Sequence, residues 1–447
     1  MIALVAWLFA LSTTAGVLAT LVAPFYGVPA AYNLAAACSR ALRPHPAVVA
    51  SAPAPPAPGG GHALDRFRRI GIVLAGGGAK GAYQAGALRA IHEFLEANDA
   101  LGKVRMISGT SIGAWNAVFW LAGLVRPDPG GESGHRRWWR SISVNGIVEF
   151  DTWWPLHGNH FCRADPWRAA FERLFITNQA VWPRMGELFL TSPPGGPVHF
   201  YFTRSNVERG TLEFSTNRRD LARLAVPGAR PGLAGGLVIG GGNLLQALAQ
   251  LEQAVFASMD IPPLFPYVRM AAARGGEALF EDGGVVDNLP LWFGTQVEEC
   301  DLLFVLPLNA TYRAAVNPSS ILARLTRVID VRQGVIERDA FKFAYLYNEL
   351  AALRAAGAAA APGDALGTRA LARRHRPVSI FAICPGEPLA INTIEFWKGE
   401  EAGAAFDLMY AATKDELEHR FADATRPDWI RMAVVGPDGR LGYITEF

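Results

Sequence analysis

Two stretches of this chain repeat one plan: an apolar run, a glycine-rich turn, and a helix. In the first, Ile70-Gly71-Ile72-Val73-Leu74 reads as a buried strand, and Gly76-Gly77-Gly78-Ala79-Lys80-Gly81 follows at once. Ala85, Leu88, Ile91, Phe94 and Leu95 then recur at helical spacing. In the second, Val104 to Ser108 reads as a strand, Ser111 sits at its exit, and Ile112 to Leu124 reads as an apolar helix. Strands that alternate with helices argue for a parallel sheet covered on both faces, so the expected fold class is α/β.

The turns carry the chemistry. Gly109-Thr110-Ser111-Ile112-Gly113 holds a serine in the G-x-S-x-G frame. Glycines two places either side permit a sharp strand-to-helix turn that exposes a hydroxyl, and a serine needs such fixed geometry and a base before it attacks anything. Taken alone, the pentapeptide also describes a serine capping a helix. Gly76 to Gly81 fits G-x-G-x-x-G, a pattern shared with nucleotide sites. Glu93 and Glu96 lie on the following helix, however, and do not supply the ribose-binding acid expected at a strand end. The same loop can direct the N–H groups of Gly76, Gly77, Gly78 and Ala79 at a developing oxyanion. Lys80 is a candidate contact for a substrate phosphate, its plain alternative being a solvated side chain.

Asp282-Gly283-Gly284 supplies a carboxylate before two glycines, a pattern that elsewhere marks only a turn. Held within about 3 Å of the serine hydroxyl, such a carboxylate accepts its proton directly. Glu281, Asp287 and Asp260 rank below it, Asp260 being read as structural. His375 and His419 follow Asp282 in the chain and satisfy the order Ser, Asp, His, but one lies in a basic run and the other on a polar helix face. His157, His160 and Cys162 are close in sequence without a further clustered ligand, so no metal is expected. Nor does this chemistry call for a cofactor.

The net charge of +2 and the absence of a basic run interleaved with aromatics give no reason to expect nucleic acid. Cys38, Cys162, Cys300 and Cys384 lie far apart and read as free thiols. Hydrophobic residues reach 51%, an excess that begins at the N-terminus, where Ile2 to Ala23 contains no charge. About 20 apolar residues span a bilayer, and the first fixed positive charges, Arg40 and Arg43, follow the segment. That order favours a membrane anchor with the catalytic part cytoplasmic, over a cleaved signal peptide that would export it. Pro, Ala and Gly dominate residues 44–61, which read as a linker.

Further along, Trp138, Trp139, Trp153, Trp154 and Trp167 mark a region suited either to ordinary packing or to a bilayer interface. Val198 to Ser205 and Thr211 to Thr216 read as a strand pair, the glycines at 235, 236, 240, 241 and 242 as a loop, and Leu244 to Ala257 as a helix. Beyond residue 300 come a strand at Leu302 to Leu306, a helical stretch, an Ala-rich loop at Ala355 to Ala361, a strand at Val378 to Ile383 and a helix near Glu401 to Phe421.

Taken in series, the glycine loop, the serine elbow and Asp282-Gly283-Gly284 resemble the patatin-like phospholipase family. Ala257-Ser258-Met259-Asp260-Ile261-Pro262-Pro263-Leu264-Phe265-Pro266 looks like that family's small-residue and proline segment. The resemblance covers about residues 70 to 300. It implies a three-layer sheet, Ser111 as nucleophile, Asp282 as base, and the glycine loop as oxyanion hole. It further implies hydrolysis of acyl esters, usually of phospholipids or neutral lipids, here expected to be of phospholipase A or lysophospholipase type with membrane lipids as substrate. The domain plan expected is an anchor at 1–24, a linker at 25–69, a catalytic domain at 70–300 and a C-terminal α/β extension at 301–447. A nucleotide-binding enzyme and a catalytically silent membrane-tethered scaffold are the alternatives from other classes.

Overall fold

The computed structural model describes residues 64–151, 160–191, 198–220, 233–309, 321–360, 377–387, 389–421 and 430–444. By contact the chain divides into two units, residues 50–313 with 333–447, and residues 1–49 with 314–332. Of the second unit, residues 321–332 are described, and they are helical. The first holds the sheet and every residue of the candidate site. Its elements, in chain order, are β1 (Ile70–Leu74), α1 (Gly81–Ala97), β2 (Val104–Gly109), α2 (Ile112–Leu121), α3 (Gly134–Arg140), α4 (Asp165–Phe171) and α5 (Trp182–Phe189). There follow β3 (His199–Asn206), β4 (Thr211–Thr216), β5 (Leu233–Val238), α6 (Leu244–Met259), β6 (Val268–Ala271), β7 (Glu277–Asp282) and β8 (Leu302–Leu306). The last are α7 (Ile321–Ala360, in this unit from Gln333 onward), β9 (Ser379–Pro385), α8 (Gly399–Arg420), β10 (Ile430–Val435) and β11 (Leu441–Ile444).

Among the described residues, 11 strands form one sheet in the order β11-β10-β9-β8-β1-β2-β3-β4-β5, with β7 pairing both β3 and β6. From β10 to β3 the strands run parallel. The margins are mixed, so the parallel sheet that the strand–helix alternation implies is its central part. Only four residues, 207–210, join β3 to β4, too few for a crossover, so that pair is an antiparallel hairpin. Residues after 300 supply β8 to β11 of this sheet, and β8 is hydrogen-bonded directly to β1.

Side chains of period two divide the core into two layers. Ile70, Ile72 and Leu74 face one cluster with Leu302, Phe304 and Leu306, which α1, α2, α6 and α8 cover. Val73, Leu303 and Val305 face the other, completed by Leu289, Phe293, Phe341 and Ala344. Helices therefore flank a central sheet, as a mixed α/β fold requires. Apolar but for Asn116, α2 is buried along its whole length.

Three of the five tryptophans of the aromatic region are described in this core. Trp138, Trp139 and Trp167 are buried, and the rings of Trp138 and Trp167 lie 4.8 and 5.4 Å from Trp115. Packing, not a lipid interface, accounts for these three; Trp153 and Trp154 lie outside the described residues. Two loop expectations are corrected. Gly235 and Gly236 sit in β5 beside β4, and Ala355 to Ala360 continue α7, as the best helix-forming residue should. The apolar N-terminal segment, most of the linker, Cys38, His157 and His375 lie outside the described residues. Among the described residues, no helix is long and apolar enough to cross a membrane.

Candidate active site

Strand β3 acts as a ruler that brings the two motifs together. Its first half pairs with β2, which ends at Gly109 opposite Phe202. Two residues further, on the flank that β2 vacates, β7 takes over, and its last residue, Asp282, lies opposite Arg204. A strand advances about 3.3 Å per residue, so the position facing Asp282 is about 7 Å beyond the end of β2. Ser111 is two residues beyond that end. There its side chain adjoins the Asp282 carboxyl and acts on it.

The elbow is strained and held. Ser111 adopts φ 55°, ψ −127°, a conformation that L-residues with a side chain rarely take. Its N–H donates to Ser258 Oγ at 2.9 Å, and the Thr110 hydroxyl, which donates to the Asp287 carbonyl at 3.1 Å, lies 2.6 Å from that of Thr203. Both flanking glycines are required by close approach. A Cβ on Gly113 would stand 2.5 Å from the Leu74 carbonyl oxygen, and one on Gly109 would stand 2.6 Å from the Ala114 nitrogen. Gln84 and Asn116 then tie the helices after each turn, since Gln84 Nε2 donates to the Ala75 and Leu306 carbonyls and Asn116 Nδ2 to Gly81 O and Gln84 Oε1.

Asp282 is buried. Burial pushes its carboxyl up to about 7, while the neighbouring Ser111 side chain and the hydrogen bond from Gly284 N–H, at 2.7 Å, pull it down and Glu281 adds a smaller upward push. A carboxylate accepting a serine proton near neutrality is what a general base requires. Asp260, whose backbone carbonyl accepts from Asp282 N–H at 3.0 Å, is also buried. Burial raises its carboxyl to about 8, with Arg168 opposing at 4.0 Å and Asp282 adding to the rise. Glu281 is half-buried, and Asp287 Oδ1 accepts from Leu289 N–H within its own turn.

Of the four loop amides named from the sequence, two are already committed. Gly76 N–H donates to Asn288 O at 3.3 Å and Ala79 N–H to Thr393 O at 2.8 Å. Among the described residues, the N–H groups of Gly77 and Gly78 have no acceptor. A Cβ on Gly76 would lie 2.9 Å from Ser111 Cβ, so the loop passes in contact with the serine. Gly78 has φ +58° and lies against the Thr393 carbonyl, leaving no room for a side chain.

Lys80 is placed differently from either expectation. It is 2% exposed, and its Nζ donates to Asn309 Oδ1 at 2.6 Å, inside the protein. His419 is exposed on α8 beside Asp415, remote in character from a catalytic base. His160 lies 3.1 Å from Asp151, while Cys162, Cys300 and Cys384 are free. Thr203, Asn288, Asn309 and Glu337, which the sequence does not single out, support the turns, as does Ser258 from the proline segment.

With strand, elbow, glycine loop and aspartate in place, the comparison with known families is decisive: residues 72–293 match the patatin-like phospholipase model. This chain carries a patatin-like phospholipase domain. Lipid acyl hydrolysis is the activity of that family. No curated protein matches the chain. The crystal structure of VipD from Legionella pneumophila aligns over 78% of this chain and 67% of its own, at 16% identity and a TM-score of 0.32, too low a score for comparison of sites.

Proposed function

We propose that this patatin-like protein hydrolyses acyl esters of membrane lipids, of phospholipase A or lysophospholipase type, through a Ser111/Asp282 dyad. What carries the reading is the placement of Ser111, on a strained elbow, beside a buried carboxyl that is raised to about 7 and on which the serine side chain acts. Asp282 takes the hydroxyl proton as Ser111 Oγ bonds to the ester carbonyl carbon. The carbonyl oxygen becomes an oxyanion, stabilised by the Gly77 and Gly78 N–H groups. Collapse breaks the ester C–O bond, and the proton held on Asp282 passes to the departing alcohol. Water then gives a proton to Asp282 and attacks the acyl-enzyme; the second collapse releases the fatty acid and returns that proton to Ser111.

In this reading residues 1–24 anchor the chain in a membrane and 25–69 are the linker. Residues 70–300 are the catalytic part, on the cytoplasmic side, and 301–447 an extension that completes its sheet. Support for the anchor is the uncharged run Ile2 to Ala23 with arginines after it. Retention in carbonate-washed membranes, with the C-terminus shielded from external protease, is the outcome expected; release of a shortened soluble chain overturns it.

The activity is tested on purified protein with dispersed diacyl phospholipid, lysophospholipid, triacylglycerol and acyl thioester, by measuring released acid or thiol. Release from the first two is expected, abolished in Ser111→Ala and reduced about a hundredfold or more in Asp282→Asn. Full activity in Ser111→Ala, or no release from any substrate by folded wild type, overturns it.

A further inference from the structure

Beneath the glycine loop runs a buried polar chain that starts outside the family match. Glu337, on α7, is 1% exposed. Its Oε1 accepts from Asn288 Nδ2 at 2.6 Å and from Asn309 Nδ2 at 2.7 Å, and its Oε2 accepts from Asn309 N–H at 3.2 Å. Asn309 passes the contact on, its Oδ1 accepting from Lys80 Nζ at 2.6 Å. Asn288 does the same on the other side, its second amide hydrogen going to Gly76 O at 3.1 Å. Both partners of Asn288 Nδ2 are acceptors, which fixes the orientation of that side chain.

One carboxyl thus reaches both ends of the loop, Gly76 through Asn288 and Lys80 through Asn309. The Asn288 backbone carbonyl also accepts from Gly76 N–H, and Lys80 N–H donates to Gly77 O. The C=O of Gly76 and the N–H of Gly77 belong to one trans peptide plane and point in opposite directions. Pinning that carbonyl to Asn288 therefore aims the Gly77 N–H away from Asn288, and Gly77 carries one of the two uncommitted amides. We propose that Glu337 is a positioning residue for the oxyanion loop, setting the Gly76–Gly77 peptide plane through Asn288 and the far end of the loop through Asn309 and Lys80. This rests on the hydrolase reading above.

An apolar filling of the same volume would be no less stable, but no apolar side chain grips a carbonyl. Burial pushes the Glu337 carboxyl up to about 7, against the hydrogen bonds of Asn309 and Asn288 and the charge of Lys80. Glutamine fits the same space. It keeps an oxygen for the two side-chain amides and turns its NH2 toward the Asn309 N–H, donor against donor, which loosens the junction without emptying it.

The test compares full-length wild type, Glu337→Gln and Ser111→Ala on a soluble short-chain p-nitrophenyl ester and on a trifluoromethyl ketone, which forms a tetrahedral adduct with an active serine. A misplaced oxyanion donor should lower kcat about tenfold to a hundredfold in Glu337→Gln with KM within about twofold. Ketone affinity should fall by the same factor as kcat/KM, a correspondence that general destabilisation does not produce. If Glu337→Gln does not fold, Glu337→Asp, which keeps the charge and withdraws the carboxyl by one methylene, is read the same way. Unchanged kcat and ketone affinity in the folded variant, or a loss confined to KM, overturns the positioning role and leaves the hydrolase reading intact. A wild type that neither cleaves the ester nor takes the ketone overturns both.

Discussion

If Asp282 is the base, kcat/KM must fall with acid in a way set by its burial. The carboxyl is raised from 3.8 to about 7, because desolvation outweighs the Ser111 side chain beside it and the Gly284 N–H bond. Only the ionised form accepts the serine proton. With a folded value near 7, about nine tenths of the enzyme is competent at pH 8 and about one tenth at pH 6, so kcat/KM falls about tenfold across that interval and about tenfold again for the next unit. A carboxylate at its ordinary value would leave the profile flat over the same range. The assay is initial rate against pH from 5 to 8.5 at constant ionic strength on a soluble ester, with circular dichroism confirming the fold at each point. A plateau that persists to pH 5 refutes the reasoning. So does the same acid limb in the residual activity of Asp282→Asn, because the limb would then belong to another group.

Stability should run the other way. Asp260, Asp282 and Glu337 hold their protons to about 8, 7 and 7 in the folded chain, against ordinary values of 3.8, 3.8 and 4.5. Between these limits the native state binds more protons than the unfolded one, so their contribution is fully present below about pH 4 and lost as pH rises through 7 to 8. Thermal unfolding should accordingly occur at higher temperature at about pH 5.5 than at pH 8.5, with the difference reduced in Glu337→Gln; an unchanged difference in that variant contradicts the assignment. Gly113→Ala drives a Cβ to 2.5 Å from Leu74 O and 2.8 Å from Ala75 O, both backbone atoms that cannot step aside. A loss of about 1–3 kcal/mol or more is expected by chemical denaturation, whereas Gly102→Ala, with nothing within 4 Å, should be near neutral. Equal stability of the two variants contradicts the packing described for the elbow.

Local signals in the sequence carried far. Strand-turn-helix units at Ile70 and Val104, the serine frame and the carboxylate before Gly283 are written in adjacent residues, and the structure builds each of them where those residues stand. What depends on distant contacts was not legible. The amides of Gly76 and Ala79 are committed to the carbonyls of Asn288 and Thr393, more than 200 residues away in sequence, so the loop alone does not say which donors remain. Lys80 looks solvent-facing in a glycine turn, but Asn309 and Glu337 draw it inward. Glu337 has no local mark, being one acid among many charges on a long helix. At Ala355 to Ala360 the reason is another: composition suggests a loop where the intrinsic propensity of alanine favours helix. Setting residues 301–447 apart as an extension followed the motif span, while the sheet takes four more strands from beyond it.

The central claim, that Ser111 is a nucleophile served by Asp282, is tested most directly by a fluorophosphonate probe followed by peptide mass mapping. Folded wild type should carry one probe on the peptide containing Ser111; Ser111→Ala should carry none, and Asp282→Asn should label at a sharply reduced rate. An unlabelled wild type, or a probe that stays in Ser111→Ala on another residue, would contradict the account.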